Sequence, residues 1–137
     1  MTDPRREPVR HGNAVEDVPT LERDESQTAS TITIETDEVT AWCPFEGTAD
    51  YYDVTIEYLP DGYVVELMSL RDYFQSFRDR EISHEAFTDT VFEHLVTLLD
   101  PTWLRVTAVA PPRYGLETTC IRDTRNDHEG HPPEDAG

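Results

Sequence analysis

The sequence contains no lysine. All 11 of its basic residues are arginine, they face 29 acids, and the formal net charge is −18. So little positive charge removes the usual signature of a nucleic-acid binder, a basic stripe or patch. Cysteine is also scarce, with only Cys43 and Cys120 in 137 residues. Two cysteines cannot build a disulfide scaffold, and no segment before them has the features of a secretory signal. No apolar run approaches the ~20 residues that cross a bilayer. Internal repeats and a Gly-rich phosphate loop are absent as well. These absences lead us to expect a cytoplasmic protein with reduced thiols and no membrane partner.

The acidity is not confined to the ends. Residues 31–122 hold 17 acids and 6 Arg. Repulsion of that size destabilises a compact state at low salt and is screened at high salt. We read the chain as a halophilic protein. In such a protein an acidic surface does not argue against an RNA substrate, because the basic patch is suppressed throughout.

Residues 1–30 and 123–137 show almost no apolar periodicity, and we read them as disordered tails around one domain, 31–122. Within it, Thr31–Thr36 alternates as a strand. Asp53–Leu67 reads as a β-hairpin around Leu59-Pro60-Asp61-Gly62, because Pro presets φ and Gly accepts the left-handed position. Ser69 to Asp72 resembles a capping box, followed by Leu70, Tyr73, Phe74 and Phe77 at helical spacing. Ser83 caps a second helix, with Phe87, Val91 and Leu95 on one stripe, stopped by Asp100-Pro101. Trp103–Ala110 and Leu116–Ile121 alternate again. Strands, a helix pair and strands make an α+β fold: an antiparallel sheet backed by two helices. A core this small gains from oligomerisation.

Chemistry concentrates in few places. Cys43 precedes Pro44, which holds it in extended backbone, and Asp50 lies seven residues on, where a carboxyl can exchange a proton with a thiol. A buried structural Cys and a turn Asp fit the same pattern. Glu66 ends the predicted hairpin and fits a solvent-facing strand residue equally. Glu85 follows Ser83-His84 in a first helical turn, where the dipole favours an acid in any case; it also suits a bidentate acceptor for a guanine-like edge. Cys120 reads as a small core residue. Cys43, Cys120 and either His84 or His94 lack the clip spacing of a zinc site, so no metal is expected.

Taken together, Cys43-Pro44-x-x-Gly47-x-x-Asp50, Glu66-Leu67-x-Ser69-Leu70, Ser76-Phe77-Arg78 and His84-Glu85 resemble the QueF family, from Thr31 to about Arg122. The resemblance implies a tunnelling fold (T-fold) that assembles side by side into a ring of identical subunits, with two rings stacking. It implies Cys43 as the nucleophile that adds to the nitrile of 7-cyano-7-deazaguanine to give a thioimide, and Asp50 as the acid that protonates the nitrile nitrogen. It implies Glu85 as the anchor of the base, with His84 beside it and Glu66 and Ser69 lining the pocket. The family's nitrile reductases carry a Glu-(Ser/Leu)-Lys-(Ser/Ala)-x-Lys type motif that serves NADPH. Here Met68 replaces the first Lys and Arg71 the second. The loss of Lys resembles the archaeal QueF-like amidinotransferases, which use ammonia and no NADPH to make archaeosine in tRNA. The expectations are therefore an archaeosine synthase acting on nitrile-bearing tRNA, an NADPH-dependent nitrile reductase as the alternative, and a non-catalytic purine-binding T-fold as a third reading.

The charge pattern generates a first prediction. The melting temperature should rise from low salt to molar KCl, because 17 acids face 6 Arg within residues 31–122. Thermal melts at several KCl concentrations check it, and a flat or falling trend refutes the halophile reading.

Overall fold

The computed structural model describes residues 21–43, 47 and 49–126. Among them, six strands and two α-helices follow in order, β1 (Arg23–Glu25), β2 (Ile32–Trp42), β3 (Ala49–Leu59), β4 (Tyr63–Val65), α1 (Leu67–Gln75), α2 (His84–Leu99), β5 (Trp103–Arg113) and β6 (Leu116–Asp123), and a short 3-10 helix, Thr124–Asn126, comes after them. The long strands form one antiparallel sheet in the order β2-β3-β5-β6. The fold class is α+β, as expected.

Alternation explains which face the helices cover. On β3, Asp50, Tyr52, Val54, Ile56 and Tyr58 are buried, and Tyr51 and Asp53 between them are exposed. Leu104, Val106 and Ala108 continue the buried face on β5. Against it pack Leu70, Tyr73 and Phe74 of α1 and Phe87, Val91, Leu95 and Leu99 of α2. Each large side chain on this list contributes about 1.5–3 kcal/mol by leaving water.

The second helix forms where its pattern predicts. Ser83 is the N-cap, and its hydroxyl accepts from Ala86 N at 3.1 Å. The helix ends at Asp100, whose left-handed backbone (φ 45°) precedes Pro101, a residue that cannot continue a helix.

Three expectations need correction. Asp53–Leu67 is not a hairpin. The free edge of β3 is taken by β5, from Asp53↔Val109 to Leu59↔Trp103. The chain therefore turns away at Gly62 (φ 100°), and β4 pairs with β1 instead. The helix start is also displaced. Glu66, not Ser69, is the N-cap of α1, and its carboxylate accepts from Met68 N at 3.1 Å and Ser69 N at 2.7 Å. Finally, the folded part exceeds 31–122 at both ends. Leu21 packs on the core, β1 lies at 23–25, and the Thr124 hydroxyl accepts from Leu104 N at 3.0 Å. The remainder of the predicted tails, residues 1–20 and 127–137, lies outside the described residues.

Inside the core, the Tyr73 hydroxyl lies 2.7 Å from His94 Nδ1. Burial pushes the Tyr73 pKa well above its ordinary value, so the hydroxyl stays protonated and donates. Burial first, and Arg80 second, lower the His94 pKa from 6.5 to about 4. The folded imidazole is therefore neutral where the unfolded one begins to take a proton. Stability is complete above about pH 6.5 and is lost progressively as pH falls toward about 4. The loss should be on the order of 1–2 kcal/mol, because His94 is only partly buried. Urea melts at pH 7 and pH 4.5 check this. The wild type should lose more stability between the two pH values than His94→Gln does; equal losses would remove His94 as the cause.

Candidate active site

The end of β2 is fastened to the connection between the helices. Trp42 N donates to Arg80 O at 2.8 Å, and Ile82 N donates to Trp42 O at 3.0 Å. Cys43 is the next residue, and Ser83, His84 and Glu85 follow Ile82 into α2. The two backbone bonds thus bring Cys43 and the α2 N-terminus to the same end of the sheet. Gly47, with φ 68°, closes the turn behind Cys43 by donating its N–H to Cys43 O at 3.0 Å. A side chain at Gly47 would be strained in that left-handed conformation. Pro44, Phe45, Glu46 and Thr48 lie outside the described residues.

Cys43 is buried, with 8% of its surface exposed. Val39 and Ala41, its neighbours at alternate positions on β2, face the core in the same way. Ala41 pairs with Asp50 across the β2–β3 ladder. Asp50 is likewise buried, and it accepts a hydrogen bond from the Arg113 guanidinium in a part-buried ion pair. Arg113 reaches it from the end of β5, beside the tight turn in which Tyr114 and Gly115 both have positive φ.

His84 is held from two sides. Its Nε2 lies 3.0 Å from Ala108 O, and since a carbonyl only accepts, Nε2 carries the proton. Its ring lies 5.2 Å from that of Tyr52, nearly parallel. Glu85 is exposed on the first turn of α2. Burial first, and then the charges of Asp50, Cys43, Cys120 and Glu85, push the Tyr52 pKa well above its ordinary value. Cys120 is held as a thiol. Burial, and then Glu85, raise its pKa.

Of the six residues singled out in the sequence, Cys43, Asp50, His84 and Glu85 therefore meet at one end. Glu66 and Ser69 do not join them within the chain. They start α1, which rises about 14 Å over its nine residues before the connection to α2 begins. Both are engaged in the fold: the Glu66 carboxylate caps α1, and the Ser69 hydroxyl donates to Glu66 O at 2.8 Å and accepts from Glu22 N at 3.0 Å. Sequence reading missed Arg113 and Tyr52. Extending the β3 alternation back from Val54 would have put Tyr52 and Asp50 on the buried face. Nothing local marks Arg113, which is 63 positions from its partner.

The donors at this end are two thiols, carboxylates and an imidazole. Among the described residues no group of three or more His, Cys, Asp or Glu is arranged to hold a metal ion. No helix there is long and apolar enough to cross a membrane. What the arrangement brings to this end of the sheet is a buried thiol, a buried carboxylate and the guanidinium that donates to it.

Known proteins resemble this chain in sequence and in structure. The chain is 40% identical over 115 residues to the NADPH-dependent 7-cyano-7-deazaguanine reductase of Nitrosospira multiformis, a match covering 84% of this chain and 78% of that one. It is 48% identical over 89 residues to the protein of the same name from Thermotoga maritima, covering 64% and 65%. The match to the Sinorhizobium fredii protein of that name spans 60% of the relative's length. Among solved structures, the apo form of the archaeosine synthase QueF-Like superposes with a TM-score of 0.66 at 26% identity, covering 71% of this chain and 95% of that one. The family model described as QueF-like protein matches residues 49–129. On that match, which takes in more than half of its length, the chain belongs to the QueF family.

Proposed function

We propose that the chain converts the nitrile of 7-cyano-7-deazaguanine in tRNA into the amidine of archaeosine, with ammonia as the second substrate and no redox cofactor. The first step belongs to Cys43 and Asp50. Asp50 takes the thiol proton as the Cys43 sulfur adds to the nitrile carbon. A C–S bond forms, one π bond of the nitrile breaks, and Asp50 returns the proton to nitrogen, giving a thioimide. Arg113 holds the Asp50 carboxyl in place throughout. Ammonia then adds to the same carbon, the C–S bond breaks, and Cys43 leaves with a proton. The nitrile plus ammonia balances the amidine. Glu85 accepts from the N–H edge of the base, with His84 fixed beside it.

The observation that carries the amidine over the amine is Met68. It stands where the reductase motif has a Lys, 63% exposed on the first turn of α1. A thioether makes no charge-assisted contact with a phosphate. Arg71 does keep a cation there, next to Asp72 at 3.3 Å. The donor set at this end of α1 thus lacks one of two cations, and losing one such contact weakens binding by about 1.5–3 kcal/mol. The second reading, an NADPH-dependent nitrile reductase, is favoured by the names of relatives 40% to 48% identical to this chain. A non-catalytic binding module accounts poorly for Cys43 and Asp50 meeting at the α2 N-terminus. We further propose a cytoplasmic, halophilic ring of identical subunits in which a neighbour brings Glu66 and Ser69 to the Cys43 end.

The decisive test is a paired assay on the free base and on nitrile-bearing tRNA, following NADPH absorbance and product mass. Ammonia-dependent gain of mass on tRNA, with NADPH inert, is expected. Stoichiometric NADPH oxidation with an aminomethyl product establishes the second reading instead.

The two thiols separate the nucleophile. Cys43→Ala should abolish both adduct formation and turnover, and Cys120→Ala should retain most activity. Intact mass after exposure to the nitrile base is the readout. An adduct on Cys120, or an active Cys43→Ala, removes the assignment.

A further inference from the structure

Tyr52 is fully buried, and its hydroxyl has no hydrogen-bond partner among the described residues. A hydroxyl withheld from water without a partner costs free energy, and native folds satisfy nearly all such atoms, so an exception needs an explanation. The ring itself is well placed. It lies nearly parallel to His84 at 5.2 Å and to Phe87 at 4.6 Å. Both partners stand on α2, and His84 is tied to β5 through Ala108. The phenol is thus held rigidly, and only its polar tip is left unsatisfied.

The position of that tip is informative. Tyr52 is two residues from Asp50 on the buried face of β3, and it pairs with Val39 as Asp50 pairs with Ala41. Positions two apart on a strand are separated by about 6.5–7 Å, which a phenol can span. Burial first, and then the charges of Asp50, Cys43, Cys120 and Glu85, raise the Tyr52 pKa far above its ordinary value. The hydroxyl therefore keeps its proton and can only be put to use as a donor or a neutral acceptor. Asp50 is already an acceptor for Arg113.

We propose that the Tyr52 hydroxyl donates a hydrogen bond to the nitrile-derived nitrogen while Cys43 adds to the nitrile carbon. This rests on the first step of the function proposed above, which both fates of the thioimide share. In that step an electron pair moves from the C–N π bond onto nitrogen, and the proton that Cys43 gave to Asp50 follows it. Tyr52 keeps its own proton and stabilises the charge as it develops. A donor that is preorganised, desolvated and unoccupied before the reaction is the arrangement that favours a transition state over the free enzyme. The missing partner is then supplied by the substrate.

Tyr52→Phe isolates the hydroxyl, since it keeps the ring, its stacking and its burial. The full chain in molar KCl is mixed with 7-cyano-7-deazaguanine free base, without ammonia or NADPH, and the Cys43 adduct is followed in time by intact mass. Removing one donor of this kind costs about 100- to 1,000-fold in rate, so adduct formation should slow by that factor. The melting temperature should equal or exceed that of the wild type, because an unsatisfied buried group has been removed. Base affinity, compared between Cys43→Ala and Cys43→Ala/Tyr52→Phe, should be unchanged, because the contact belongs to the developing charge. Adduct formation at the wild-type rate overturns the proposal. A slower rate accompanied by a lower melting temperature or weaker base binding also overturns it, and assigns Tyr52 to packing or to holding the base. A wild-type chain that forms no adduct with the free base or with nitrile-bearing tRNA removes the function proposed above, and this inference with it.

Discussion

The candidate site depends on two backbone hydrogen bonds made by Trp42, at 2.8 Å to Arg80 O and 3.0 Å from Ile82 N. Each contributes about 1 kcal/mol net, so their energy is small. Their geometric effect is large. They join the last residue of a sheet strand to a connection between helices, and the residues on either side of the joint are Cys43 and the Ser83 cap. Phe77 and Arg80, both fully buried, pack that connection from within, the guanidinium 5.2 Å from the ring. The strand cannot shift along the connection without breaking both bonds. Cys43 is therefore positioned by the core, although it lies just beyond the end of its strand.

Legibility in the sequence followed the range of the interaction. The stripe Phe87, Val91, Leu95 and Leu99, the Ser83 cap and the Asp100-Pro101 stop are local, and the helix they predict is the one that forms. Alternation on β2, β3 and β5 was readable for the same reason. The partner of a strand is not local. Tyr63–Val65 follows a good turn, so pairing with Asp53–Leu59 was the natural inference, but that edge goes to β5 from more than 40 residues away. Glu66 was hidden in another way. Two capping patterns overlap in Glu66-Leu67-Met68-Ser69, and the carboxylate that can reach two N–H groups sets the start. At the site, Cys43, Asp50, His84 and Glu85 were found by motif. Tyr52 and Arg113 carry no motif, and only the register of β2 on β3 and the turn of β5 into β6 bring them in.

Charge makes the arrangement at Asp50 more notable. The chain has 29 acids and 11 Arg, so a guanidinium is a scarce partner for a buried carboxyl. Arg113 donates to Asp50 within the fold, and so the Asp50 carboxyl is oriented by a guanidinium. The bidentate capacity and permanent charge of Arg suit that task, and a lysine-free composition leaves Arg as the cation available for it.

The names carried by relatives point one way and the side chain at position 68 points the other, and the fold explains how both can be true. Percentage identity counts every position equally. The residues proposed to capture a nitrile lie at the Cys43 end, where α2 begins. The residues proposed to distinguish a hydride donor from ammonia, Met68 and Arg71, lie in the first turns of another element, α1. A chain can thus keep the capture chemistry, the core and most of its sequence in common with reductases while changing the fate of the thioimide through one exposed residue. High identity is evidence for the shared first half of the reaction. For the second half the informative positions are few, and among them Met68 is the one that a general replacement of Lys by Arg does not explain.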